Sequence, residues 1–224
     1  FILCMCKIKF LLSFVFAFVF FTGAYAGEDL EAAVIVKKNG QKIECFIGRQ
    51  TMLSQMLKKV SYKSDLNSSK QSIDIEEIHQ VIFPSSNGDS VAIVENVEWI
   101  DAKDYMKNDL SKRKSQLMTV RRLGYMNVYS WTKYVNNVQE WRYYVCRKKN
   151  ETVGVEANIL VISPKNRGEG YKYAAFGKSF ENTYERLFKE CPDVVKSIKS
   201  GTFKAEDFEA IVEEYNAYMA EKGK

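Results

Sequence analysis

Apolar and polar residues alternate with a period of two along two long stretches of the chain, and recur at helical spacing near its end. In the first stretch, Val34, Ile35 and Val36 precede Asn39-Gly40, and Ile43, Cys45 and Ile47 alternate after it. Asn-Gly between two apolar runs predicts a β-hairpin, with a type I′ turn because that turn needs positive φ at both central residues. Val60-Ser61-Tyr62, Ser72 to Ile75, His79 to Phe83 and Val91 to Val94 read as further short strands. Ile75 to Ile78 reads as one helical turn, Asn67-Ser68-Ser69 as a polar turn, and Pro84 to Gly88 as a break. So many short strands in sequence predict a small β-barrel or two-layer sandwich over residues 27–100.

Asp101 to Met118 changes character. It is rich in charge, and Tyr105, Met106, Leu110 and Leu117 lie near helical spacing, which predicts a connecting helix over 101–120. The chain then returns to strand periodicity from Arg121 to Tyr173. Tyr125, Tyr129 and Trp131 share one alternation, Trp141, Tyr143 and Val145 another, with turn chemistry at Asn136-Asn137. Val153, Val155, Ala157, Ile159 and Val161 continue the period before a loop from Pro164 to Gly170. Three helical stripes follow. Phe180, Tyr184, Leu187 and Phe188 form the first; Pro192 opens a second with Val194, Val195 and Ile198, ended by Gly201; Phe208, Ile211, Val212, Tyr215 and Met219 form the third. The fold class is α+β: a small N-terminal β-domain, a linking helix, then an antiparallel sheet with three C-terminal helices over 121–224.

Residues 1–26 stand apart. Lys7 and Lys9 precede an apolar run from Phe10 to Phe21, and Ala24-Tyr25-Ala26 supplies a small-x-small site before Gly27. That is the pattern of a secretory signal peptide, and the run is short of the roughly 20 residues that span a bilayer as a helix. Met5 reads as the initiator, and no cysteine begins the remaining chain, which argues against a lipoprotein anchor. The mature chain is predicted to start at residue 27, to carry no transmembrane span, and to be periplasmic or extracellular.

Composition narrows the chemistry. The chain carries 46% hydrophobic residues, enough for a core and too many for disorder. Its formal net charge is +5, and the leader takes two lysines and no acid with it, so the rest is nearly neutral and no nucleic-acid partner is expected. A single histidine, His79, excludes sites built on two imidazoles. Cys45, Cys146 and Cys191 remain after cleavage; an odd number leaves at least one thiol unpaired or pairing between chains, and a bridge between Cys146 and Cys191 stays open. No GxSxG, Walker, GxGxxG or paired-cysteine motif is present, and neither a metal nor a cofactor is expected.

Val34 to Gly40, Val60-Ser61-Tyr62-Lys63, Ile75-Glu76-Glu77-Ile78 and Val81-Ile82-Phe83 together resemble a module of small exported Bacteroidetes proteins: an apolar strand, a turn glycine, a "YK" strand and an I-x-x-I step into a last strand. The tail Leu187 to Asp193, with Ile198 and Ile211 to Asn216, resembles the helical end of related proteins. Asn67-Ser68-Ser69 stands where the module carries a Gly-Pro turn. The resemblance covers packing residues of about half the mature chain. It implies an envelope or secreted location and lends no reaction.

Two features carry candidate chemistry. Tyr129, Trp131, Trp141 and Tyr143, beside Arg142, offer aromatic faces and a cation for stacking on a sugar ring or holding an anionic envelope group. The competing reading makes them ordinary strand residues with one face under the helices. Cys191, before Pro192 at a helix start, is placed where a helix dipole lowers a thiol pKa, against the plainer reading of a buried small residue at a helix corner. Asp74, Glu76 and Glu77 read as a solvated edge. The function these observations favour is an exported, non-enzymatic binding or interaction module of the bacterial cell envelope, partnered by an envelope protein or a glycan. A thiol-dependent enzyme using Cys191 and a structural subunit of an envelope assembly are the alternatives.

Overall fold

The strand periodicity resolves into one long, mainly antiparallel sheet in a computed structural model, which describes residues 30–49, 52, 57–84, 91–135, 139–164, 171–175 and 178–224. The signal peptide expected over 1–26, the expected Asn136-Asn137 turn and the segments following Pro84 and Pro164 lie outside the described residues. The strands are β1 (Leu30–Lys37), β2 (Lys42–Gly48), β3 (Lys59–Tyr62), β4 (Gln71–Asp74), β5 (Ile78–Pro84), β6 (Val91–Ile100), β7 (Lys114–Arg122), β8 (Met126–Val135), β9 (Gln139–Lys148), β10 (Gly154–Pro164) and β11 (Tyr171–Ala175). Nine of them form the sheet in the order β11-β10-β9-β8-β7-β6-β5-β1-β2, and β3 and β4 make a separate hairpin. The helices are α1 (Ala102–Met106), α2 (Lys178–Leu187), α3 (Pro192–Lys199) and α4 (Phe208–Glu221). The protein is thus α+β with C-terminal helices.

Two expectations are corrected. The N-terminal strands are not closed in a barrel of their own: β5 pairs with β6, and β6 with β7, so they run on into the larger sheet. The hairpin β3–β4 covers their inner face, and Val60 and Ile73 pack with Ile35, Cys45, Ile47, Val81 and Phe83. Nor does a helix join the halves over 101–120. Only Ala102–Met106 is α-helical, Leu110–Lys112 is a 3₁₀ turn, and Lys114–Arg122 is a strand. The helix stops because Asn108 turns left-handed at φ 58°, letting the Asp109 N–H reach back to the Asp104 carbonyl at 3.0 Å. Beyond it Leu117 and Met118 point to opposite faces and both are buried, so the alternation that marks a one-sided strand is missing.

The β1–β2 turn also differs from the expected type I′. Gly40 has φ 85° while Asn39 does not enter the positive region, and the Gly40 N–H donates to the Lys37 carbonyl at 2.9 Å. This is the three-residue loop in which a left-handed glycine follows a tight turn, with the Asn39 side chain accepting from the Gln41 N–H at 3.0 Å.

One further pairing shapes the fold. Gly154 and Val155, at the start of β10, lie parallel to Trp99 and Ile100 at the end of β6, so that β6 to β10 close on themselves. Register shifts at Val120/Arg122 and Glu156/Asn158 bend the strands into that ring. Gly154 is required at the seam, because a Cβ there would meet Val145 Cγ1 at 2.6 Å. Inside the ring pack Val97, Trp99, Met118, Tyr129, Trp131 and Val145. Against the outer face of β8 to β10 lie the three C-terminal helices, of which α4 buries all of its stripe residues Phe208, Ile211, Val212, Tyr215 and Met219, each worth about 1.5–3 kcal/mol. Polar clamps fix this layer. Asn216 bonds both the N–H and the carbonyl of Met126, at 2.7 and 3.0 Å. Lys148 places its ammonium 2.8 Å from both oxygens of Glu190, to which Tyr215 also donates at 3.0 Å.

Candidate functional site

The alternation along β8 and β9 decides what the aromatic residues can touch. Tyr129, Trp131, Trp141, Tyr143 and Arg147 share the ring-facing side, whereas Arg142, Tyr144 and Cys146 share the other. Tyr129 is fully buried and Trp131 is 7% exposed. Tyr143 stacks on Trp131 with ring centroids 4.1 Å apart and planes 7° from parallel, and Trp99 tilts against Trp131 at 6.3 Å. Arg142 is held by Glu140 at 2.6 and 3.0 Å, on the opposite side from Tyr143. The five predicted binding residues therefore do not form one open surface. Tyr129 and Trp131 fill the ring, and Trp141, Tyr143 and Arg142 are half-buried on two different faces.

The ring interior is polar at both ends. At one end Arg147 bridges Glu95, at 2.6 Å, and the Tyr129 hydroxyl, with its guanidinium 5.0 Å over the Tyr129 ring. Burial pushes the Tyr129 phenol up to about 12, the Glu95 carboxylate adding to this and Arg147 opposing it. At the other end Glu156 is 9% exposed and accepts from the Ser179 hydroxyl at 2.6 Å; burial raises its carboxyl above the ordinary range. The indole N–H groups of Trp99 and Trp131 are buried with no acceptor among the described residues.

Cys191 occupies the N-cap position of α3, yet it is 2% exposed within the helical core, its N–H donating to the Phe188 carbonyl at 2.8 Å. Cys45, Cys146 and Cys191 are all free and buried, so the Cys146–Cys191 bridge is not formed. Burial lifts the Cys45 thiol to about 11 and the Cys146 thiol further. His79 is exposed on β5, in the N-terminal part of the sheet, and no hydrogen bond joins it to Cys191. The acids near it are engaged singly, Glu77 with Lys37 at 3.0 Å and Asp74 with Lys59 at 3.6 Å. Among the described residues no group of His, Cys, Asp and Glu side chains could hold a metal ion, and no helix is long and apolar enough to cross a membrane.

A concavity lies at the closing seam of the ring. A hollow of about 350 Å³ is bounded by Ile100 at the end of β6, by the turn from Asn150 to Val153 and Val155 of β10, by Tyr105 of α1 and Asn108 after it, by Leu110, and by Arg186 of α2. Its apolar walls are Ile100, Leu110, Val153 and Val155. Arg186 is fixed in place: one terminal nitrogen donates to the Tyr105 carbonyl at 2.8 Å, the other to the Asn108 side-chain oxygen, and the guanidinium sits 4.0 Å over the Tyr105 ring. The left-handed turn at Asn108 is what brings that oxygen to Arg186. Burial raises the Tyr105 phenol, against the lowering effect of Arg186. A second, shallower hollow adjoins the far side of Arg186, between Met106 and the outer face of α2. Sequence reasoning missed Tyr105, Asn108 and Arg186 as a group; the one local sign was an asparagine able to end a helix in the left-handed conformation. No protein-family model, curated protein or solved structure matches the chain.

Proposed function

We propose that the protein is an exported, non-catalytic binding module of the bacterial cell envelope, and that it holds its ligand in the hollow at the ring seam. The observation that carries this reading is the hollow itself. Its size falls within the span of small-molecule sites, Ile100, Leu110, Val153 and Val155 give it an apolar side, and two of its polar side chains, Arg186 and Asn108, come from separate elements and are braced by a hydrogen bond between them. The leader pattern over 1–26 supports export. Cys191 is not favoured as a nucleophile, since at 2% exposure a substrate has no access to its thiol.

Two measurements test the reading. Titrating purified, ¹⁵N-labelled protein with a fragment library should shift the amides of Tyr105, Leu110 and Val153 together; shifts confined to other surfaces, or none at all, refute the site. Cell fractionation with mass spectrometry of the full-length product should find the protein outside the cytoplasm and beginning near residue 27. A cytoplasmic chain with its leader intact refutes export.

A further inference from the structure

We infer that the ligand of this hollow is a small zwitterion with an apolar body, an amino acid or dipeptide bearing aliphatic or aromatic side chains, with its carboxylate on Arg186 and its ammonium on Glu151. This rests on reading the hollow as a ligand site. Arg186 is half-buried and immobilised, yet both of its hydrogen-bond partners are neutral oxygens, and no carboxylate lies within ion-pairing distance among the described residues. A guanidinium has N–H donors beyond the two engaged here, arranged as a planar fork that suits a carboxylate. Stacking on Tyr105 and the two neutral bonds fix the fork before a ligand arrives, so little ordering is left for binding to supply.

Sign then selects the ligand. A simple anion on Arg186 would share the hollow with Glu151, and a simple cation on Glu151 would share it with Arg186. Glu151 has no ion-pair partner among the described residues either, and only its backbone N–H is engaged, to the Lys148 carbonyl at 2.9 Å. A molecule carrying both charges answers both groups at once. The four aliphatic side chains that line the same hollow suit its apolar part, and Leu110, 53% exposed, gains most by being covered.

The test is an NMR titration of ¹⁵N-labelled protein with phenylalanine and with the dipeptide Leu-Phe, each compared with its N-acetyl form, its C-terminal amide and the doubly blocked form. At least one zwitterion should shift the amides of Tyr105, Leu110 and Val153, and blocking either end should weaken it about tenfold or more, the effect of losing a hydrogen bond to a charged group. Arg186→Gln should remove the preference for the free carboxylate. Because Arg186 also braces the end of α1, Glu151→Gln on the exposed turn is the second variant; it should bind the zwitterion and its N-acetyl form alike. Doubly blocked forms binding as tightly as the zwitterions overturn the inference and leave the hollow a ligand site. Binding of other library fragments there, with no response to any zwitterion, does the same. No shift at the hollow from any compound overturns both.

Discussion

Replacing Gly154 by alanine tests whether the seam between β6 and β10 holds the ring shut. The added Cβ would stand 2.6 Å from Val145 Cγ1, with the carbonyl oxygens of Cys146 and Glu98 at 3.4 and 3.5 Å. Carbon atoms in ordinary contact keep about 3.5–4.0 Å apart, so something must move by about 1 Å. Val145 is fully buried among Val97, Met118 and Tyr129, and the carbonyls belong to the strands themselves, so neither gives way freely. Overpacking of this kind costs about 1–3 kcal/mol. Val145→Ala alone should cost about 2 kcal/mol, from lost burial and the space left behind. In the double variant the new methyl occupies part of that space, so the total should fall short of the sum by about 1–2 kcal/mol. Urea unfolding followed by tryptophan fluorescence suits the question, because Trp99 and Trp131 sit inside the ring and report its integrity. Additive costs within about 0.5 kcal/mol, or a Gly154→Ala protein as stable as the parent, would refute the close approach.

Three further outcomes follow from the contacts. Glu190→Gln leaves the Lys148 ammonium without its carboxylate and should cost about 2–3 kcal/mol, below the range for a fully buried pair because the Glu190 side chain is 25% exposed. Desolvation would raise the Glu190 carboxyl, but Lys148 and Tyr215 hold it below the ordinary range; its contribution is therefore complete above that range and lost as pH falls through the lowered value, so the acid limb of a stability–pH curve should be flatter in the variant. An acid limb identical to the parent's would count against the pair. Asn216→Ala removes both bonds to the Met126 backbone and should cost about 1–3 kcal/mol in the same unfolding assay; a neutral result would show that the clamp contributes nothing. Thiol titration should find Cys45, Cys146 and Cys191 unreactive in the native protein and fully reactive after unfolding, and rapid native labelling of Cys191 would contradict its burial.

What could be read from the residues depended on whether an element has a wet side. Helix α4 was legible because its buried stripe, from Phe208 to Met219, alternates with exposed Glu213 and Glu214. Strand β7 was not, since the ring takes Met118 on one side and the N-terminal core takes Leu117 on the other. The period of Tyr129, Trp131 and Tyr143 correctly marked strands but carried no information about closure, and closure turns that face inward. The hollow lay beyond reach altogether. Arg186 meets Tyr105 and Asn108 across 81 and 78 residues, and no local spacing encodes a contact of that range.

The ring is fastened by two residue pairs, Gly154 with Trp99 and Val155 with Ile100, and two of those residues, Ile100 and Val155, also line the hollow. Unzipping at this point parts Ile100 from Val155 and opens that wall of the hollow in the same event. A ligand held in the hollow, as proposed above, would therefore act as a latch on the sheet: its binding free energy would add to the work of prying the strands apart, and solvent exchange at the amides of the fastener would slow in proportion to occupancy.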